Sequence, residues 1–159
     1  MIDAKDKEIL QIIQRDARIS NAELARQVSL APSAVLERMR KLEDRGVIKA
    51  FETRLDAKEL DFGLLAFVFV KTNECGDGSD LQLAAIPEVL EVHDVAGEDS
   101  FLLKVRADST EGLARILREK LKAIPTVIST RTTIVLETIK ETAVLPLDRC
   151  GEISVRKVR

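Results

Sequence analysis

The stretch SNAELARQVSLAPSAVLERMRKLEDRG, residues 20–46, decides the fold of the first part of the chain. Ser20 precedes Glu23 by three positions, the spacing of a capping box, and Leu24, Ala25 and Val28 follow at helical intervals. After about two turns Ser29-Leu30-Ala31-Pro32 breaks the pattern, and Pro32 suits the first position of a new helix. There Val35, Met39 and Leu42 fall within about 60° of one another at the ~100° advance of each helical residue. Gly46 then stands where a helix C-terminus wants a left-handed residue. Two short helices joined by a tight turn, the second carrying exposed bases, spell a helix-turn-helix. Ser33, Ala34, Glu37, Arg40 and Lys41, with Arg38 on the flank, are the expected DNA-facing positions. Arginine can read guanine or grip phosphate, and serine or lysine can hold backbone oxygens.

Upstream, Asp3 is a candidate N-cap for a helix through Ile9, Leu10 and Ile13. Downstream, the period changes from helical to alternating. Residues 47–55 read as an extended segment and 56–62 as a polar connection. Strands are then expected at 64–71, 89–95, 101–107 and 127–139, with a short helix at 80–86 stopped by Pro87 and an amphipathic one at 109–123. The order from residue 64 is β-α-β-β-α-β, a ferredoxin-like unit. The fold class is therefore α+β, with residues 1–50 as the helix-turn-helix domain and 51–62 as strand and linker. Residues 63–147 form the ferredoxin-like domain, and 148–159 a C-terminal tail. In the 64–71 strand, Phe67 and Phe69 alternate with Ala66, Val68 and Val70, so both faces are apolar. Helices cover one face of such a sheet, which leaves the other for a subunit contact.

Composition narrows the function. The 159 residues are 33% charged and 45% hydrophobic, a globular balance, and the net charge is −2. That average hides an asymmetry: residues 1–50 carry ten bases against eight acids, and Arg38, Arg40, Lys41, Arg45 and Lys49 cluster around only Glu43 and Asp44. A local basic cluster binds phosphate even on a mildly acidic protein. No apolar run is long enough to span a bilayer, and the acidic N-terminus lacks the basic region of a secretion signal. A cytoplasmic protein without membrane association is expected. Aromatics are 3%, all phenylalanine, which disfavours single-strand stacking.

Catalysis finds little support. His93 is the only histidine, and Cys75 and Cys150 have no zinc spacing. Cys75 has no basic neighbour to lower its pKa, and Gly76-Asp77-Gly78 is too short for a phosphate loop. Asp94, Glu98 and Asp99 read as a charged hairpin turn before they read as a cation site. No active site, metal or cofactor is expected.

Asp3…Ile9-Leu10, Asp16-Ala17-Arg18-Ile19-Ser20, Glu23-Leu24-Ala25, Val35…Arg38-Met39, Lys41-Leu42-Glu43 and Gly46-Val47-Ile48 together resemble the Lrp/AsnC family of feast/famine transcription regulators. The likeness continues through Pro87-Glu88-Val89, Val95-Ala96-Gly97, Leu102-Leu103-Lys104-Val105 and Leu145-Pro146-Leu147. It implies a winged helix-turn-helix, a ligand-sensing ferredoxin-like domain, and dimers often assembled into octamers. Two departures concern the turn: the family usually places glycine where Ser29 stands and serine where Ala31 stands. A third concerns the sensing loop, where many members have aspartate at the position of Ser100 and this chain has Glu98 and Asp99 instead.

The expected function is sequence-specific binding of double-stranded DNA, modulated by a small effector, an amino acid by resemblance. Ala96, Gly97, Glu98, Asp99 and Ser100, with the hydroxyls of Thr132 and Thr133, are the expected effector site. The alternative is an amino-acid-binding assembly module that acts on a protein partner without reading DNA.

Overall fold

The structure, a computed structural model, describes residues 2–73 and 78–147. The chain forms two compact units, Leu55–Ile139 and a second that joins the residues up to Arg54 with the segment from Lys140 onward. Three helices build the latter: α1 (Ala4–Ile13), α2 (Asn21–Val28) and α3 (Pro32–Asp44). Each contributes one apolar face. Ile9, Ile13, Leu24, Ala25, Val28, Val35, Met39 and Leu42 form its core.

The helix ends follow from their residues. Asp3 accepts from the Asp6 N–H at 2.8 Å, and the Asp6 carboxylate accepts from the Asp3 N–H at 3.1 Å, so a full capping box opens α1. At α2 only half of the expected box forms. Ser20 Oγ accepts from the Glu23 N–H at 3.2 Å, while the Glu23 carboxylate turns to the Arg26 guanidinium and the Gln27 amide. Ser29 ends α2 with φ 54° and ψ 50°, the left-handed geometry in which a Cβ is strained. Ala31 begins α3 with no side-chain cap, and Gly46, at φ 66°, follows the end of α3.

The alternation at 47–55 does not become a strand. Among the described residues no strand pairs with 49–55, which carry no ladder. Phe51 and Leu55 stay exposed, and Arg54 instead donates to the Glu141 carbonyl and carboxylate at 3.0 and 3.1 Å. Lys140–Leu147, grouped with the sheet domain from sequence, lies with the helical unit. Gln14 exchanges two 3.0 Å hydrogen bonds with the Leu145 backbone there.

The other unit is a four-stranded antiparallel sheet in the order β2-β3-β1-β4: β1 (Leu64–Thr72), β2 (Val89–Asp94), β3 (Phe101–Ala107) and β4 (Val127–Ile134). Helices α4 (Ser79–Ala84) and α5 (Thr110–Arg115) follow β1 and β3, which gives the expected βαββαβ order. Residues Ile116–Leu121 prolong α5 as a π-helix that buries Ile116 and Leu121. β4 is shorter than its β-branched run: it pairs as far as Ile134, and beyond it the Val135 N–H reaches the Leu65 carbonyl at 2.9 Å. No ladder continues past that bond, and Leu136 and Ile139 are exposed.

Alternation along β1 sorts the two faces. Ala66, Val68 and Val70 are fully buried with Leu83, Leu103, Val105 and Leu121 in the core beneath the helices. Burying a valine or leucine in this way contributes about 1.5–3 kcal/mol. The register sets Phe67 beside Lys104 and Thr133, and Phe69 beside Leu102 and Arg131, on the face opposite the core under α4 and α5. His93 pairs with Leu102 on that same face and lies 3.1 Å from Glu91. Among the described residues no helix is long and apolar enough to cross a membrane.

Candidate nucleic-acid interface and effector loop

Helix α3 presents two chemically different sides. Val35, Met39 and Leu42 dock on the rest of the helical unit, and Ser33, Glu37, Arg40 and Lys41 are exposed, with Ala34 half-buried between. Lys41 lies 2.5 Å from Glu37 one turn earlier, which lowers the pKa of the Glu37 carboxyl. This pair is fully solvated, so phosphate can compete for the lysine.

Arg38 is placed differently from its neighbours. Its Nη1 lies 2.6 Å from Asp3 Oδ2 and 2.7 Å from Asp6 Oδ1, and the Asp6 side chain is only 10% exposed. Hydrogen bonding to these carboxylates raises the guanidinium's pKa. The Asp6 N–H first, and then Arg38, holds the Asp3 carboxyl below its ordinary 3.8. Arg38 thus ties the first turn of α1 to the middle of α3. Lys5 adds a second tie by donating to the Val28 carbonyl at 2.8 Å, joining α1 to the end of α2. Sequence spacing had put Arg38 on the flank of the helix, and its use there needed the tertiary position of Asp3 and Asp6.

In the sheet unit the β2–β3 hairpin closes on residues 95–100. The Val95 N–H donates to the Ser100 carbonyl at 3.1 Å. Ser100 roots the loop on β1: its N–H donates to the Val70 carbonyl at 2.8 Å, and its Oγ accepts from the Thr72 N–H and hydroxyl at 3.1 and 3.0 Å. The loop lines a concavity of about 660 Å³ together with Lys71, Thr72, Asp80, Val92, Asp94 and Phe101. Ala96, Gly97 and Glu98 are exposed at its edge, and Asp99 is half-buried.

The structure brings Ala96 through Ser100 together and leaves Thr132 and Thr133 outside that concavity. These threonines pair with Val68 and Phe67, two and more rows from the end of β1 that holds the loop, and they lie on opposite faces of β4. Arg131 had no sequence signal, yet its Nη2 lies 2.8 Å from Asp99 Oδ2 and its guanidinium 4.0 Å above the centre of the Phe69 ring. Only the β1–β4 register shows that proximity. Among the described residues, no group of three or more His, Cys, Asp or Glu side chains is arranged to hold a metal ion. Cys75, Cys150 and the 148–159 tail lie outside the described residues.

A helix-turn-helix carried by one unit and a βαββαβ sheet with a loop-lined concavity in the other define a two-part DNA-binding regulator. The family model for the Lrp/AsnC ligand binding domain matches residues 65–145, and that for winged helix-turn-helix DNA-binding matches residues 2–49. The chain is 38% identical over 148 residues to an HTH-type transcriptional regulator of Pyrococcus horikoshii, with 92% of this chain and 97% of the relative covered. It is 37% identical over 144 residues to the leucine-responsive regulatory protein of Salmonella typhimurium, with 88% of each covered. Among solved structures, the L-Met complex of a transcriptional regulator from Neisseria meningitidis superposes with a TM-score of 0.86 at 30% identity, covering 93% of this chain and 98% of that one. A feast or famine regulatory protein from M. tuberculosis complexed with L-methionine gives 0.85 at 31% identity, covering 91% and 99%. The chain belongs to the Lrp/AsnC family of transcription regulators. It is a DNA-binding regulator with a ligand-binding domain and not an enzyme, which sets aside the module that acts on proteins alone.

Proposed function

We propose that this regulator senses a free amino acid in the cytoplasm through the 95–100 loop and reads DNA as a dimer or larger assembly through α3. The observation that carries the sensing role is the concavity closed by a loop rooted at Ser100, with Glu98 and Asp99 at its edge. Backbone N–H groups there suit a carboxylate, and the two acids suit an ammonium. The L-methionine complexes of two structural relatives favour the same ligand class. Thr132 and Thr133 enter this site only as groups of a neighbouring copy, in keeping with a cleft between dimers.

The DNA-facing set is Ser33, Ala34, Glu37, Arg40 and Lys41, and Arg38 positions the helix that carries them. Two recognition helices are needed for useful discrimination, so dimers reading successive turns of one DNA face are the working form. The sheet face around Phe67 and Phe69, opposite α4 and α5, supplies one contact surface. Phe51, Leu55, Leu136 and Ile139 add apolar area that a monomer would leave in water. Family resemblance extends this to octamers.

Sizing by light scattering with and without L-methionine tests this reading, for the wild type and for Gly97→Trp. A Cβ at Gly97 meets no atom within 4 Å, so the bulk clashes with nothing in the core, while the φ of 158° strains any side chain there and perturbs the loop itself. The wild type is expected to change its size distribution and the variant not to. L-Methionine binding that is equal in both proteins rules the loop out.

A further inference from the structure

The chain passes between the helical unit and the sheet unit twice, at residues 54–55 and 139–140. The two passages are tied together at both ends. On the sheet side they leave from neighbouring strands: the Val135 N–H donates to the Leu65 carbonyl at 2.9 Å, beside the pairing of Ala66 with Ile134. On the helical side Arg54 donates to the Glu141 carbonyl at 3.0 Å and to its carboxylate at 3.1 Å. Gln14, at the end of α1, then gives its amide N–H to the Leu145 carbonyl and takes the Leu145 N–H, each at 3.0 Å. An amide side chain can donate and accept at once, as a carboxylate cannot. The helical fold itself does not use this segment. Among the described residues its core comes from α1 to α3 with Val47 and Ile48 packed beside it, and Leu145 stays 65% exposed. Polar side chains therefore fasten a stretch that adds little apolar burial, and their use lies in the connection. Drawn out, the passage from Arg54 to Leu65 spans about 40 Å, or about 30 Å with the Phe62–Ala57 turn bond kept, against about 20 Å from Val135 to Glu141. With both passages fastened the shorter one limits the reach, and two attachments stop the swivel that one allows.

We propose that Gln14 and Arg54 are positioning residues for bivalent DNA binding: by fastening 140–147 to the helical unit, they keep the second recognition helix close to the DNA once the first has docked. The inference rests on the reading of this protein as a dimer on DNA, and neither residue belongs to the DNA-facing set. Effective concentration falls with the volume that a tethered unit explores. Raising the reach from about 20 to about 30 Å enlarges that volume about threefold, before the freed swivel is counted. A single half-site does not sense the tether, because docking one helix needs no second.

The test is fluorescence anisotropy with duplexes enriched from a random pool by the full chain, each used whole and cut to one half-site. The proteins are the wild type, Gln14→Ala, Arg54→Ala and the double variant. The wild type is expected to prefer the whole duplex by tenfold or more. The double variant should lose threefold or more of the affinity for the whole duplex, hold its half-site affinity within twofold, and keep the wild-type size in light scattering. Each single variant keeps one tie and should fall between. Equal losses on both duplexes would make the two residues supports of the α3 fold, and a smaller particle would make them interface residues. Either result overturns the inference, as does an undiminished preference for the whole duplex in the double variant. A wild type that binds both duplexes equally overturns the dimer reading along with it.

Discussion

Arg38 shows how far one side chain's role depends on partners remote in sequence. It joins two carboxylates of the first turn of α1, one of them nearly buried. Arg38→Ala should therefore destabilise the helical unit by about 1–3 kcal/mol, the cost of taking the charged donor from one oxygen of a nearly buried carboxylate whose other oxygen keeps the Asp3 N–H. In DNA titrations it should weaken specific binding without changing the salt slope, because no phosphate contact is lost. Arg40→Ala, by contrast, should lower the slope of log K against log salt by about 0.9. The same scale sets a pH dependence. Glu23 is held at about 2 by the Arg26 fork and the Gln27 amide, and Asp3 is held below 3.8. The folded state keeps these groups ionised where the unfolded chain takes up protons, so their contribution is complete above about pH 4.5 and is lost as pH falls toward 2. Melting curves should show Glu23→Gln and Asp3→Asn below wild type at pH 6, with the gap closing by pH 2. Which residues face outward on α3 was legible from periodicity alone. That Arg38 would turn to Asp3 and Asp6 was not, since nothing in the spacing of α3 encodes where α1 packs.

The helix-turn-helix carries two local weaknesses at the element scale. Ser29 adopts a left-handed backbone, and Ala31 opens α3 without a side-chain cap. Ser29→Gly should stabilise the unit by up to about 1 kcal/mol by relieving the Cβ strain. Ala31→Ser should add about 1 kcal/mol by capping a free N–H of α3. Both gains are measured as a rise in the denaturant midpoint of the helical signal at an unchanged slope, and a fall in that midpoint for either variant would contradict the local account. These two positions were readable because caps and turns depend on residues adjacent in sequence. Strand ends were less readable. The run from Val127 to Ile139 has β-forming residues throughout, yet the ladder stops at Ile134, although the register would set Leu136 opposite Leu64. Residues 47–55 alternate correctly and still form no ladder within one chain. Pairing is a property of two segments, and a single segment's alternation states only its readiness.

For the whole molecule, the division into a helical unit and a sheet unit separates DNA contact from ligand contact, so regulation requires that ligand bind one assembly or DNA-bound state better than another. In the proposed dimer, the sheet face opposite α4 and α5 and the exposed apolar residues would let a second copy carry that coupling. Phe69→Glu should shift the protein toward monomer in light scattering, because it places a carboxylate at the centre of that face. It should also cost DNA affinity through lost pairing of recognition helices. The central claim, that a free amino acid at the 95–100 loop alters DNA binding by α3, is tested most directly by one measurement. Duplexes enriched from a random pool by the full chain are titrated by fluorescence anisotropy with and without saturating L-methionine, for the wild type and Gly97→Trp. The account predicts a change in wild-type DNA affinity of fivefold or more, with no change for Gly97→Trp. An equal methionine effect in both proteins, or none in the wild type, would contradict it.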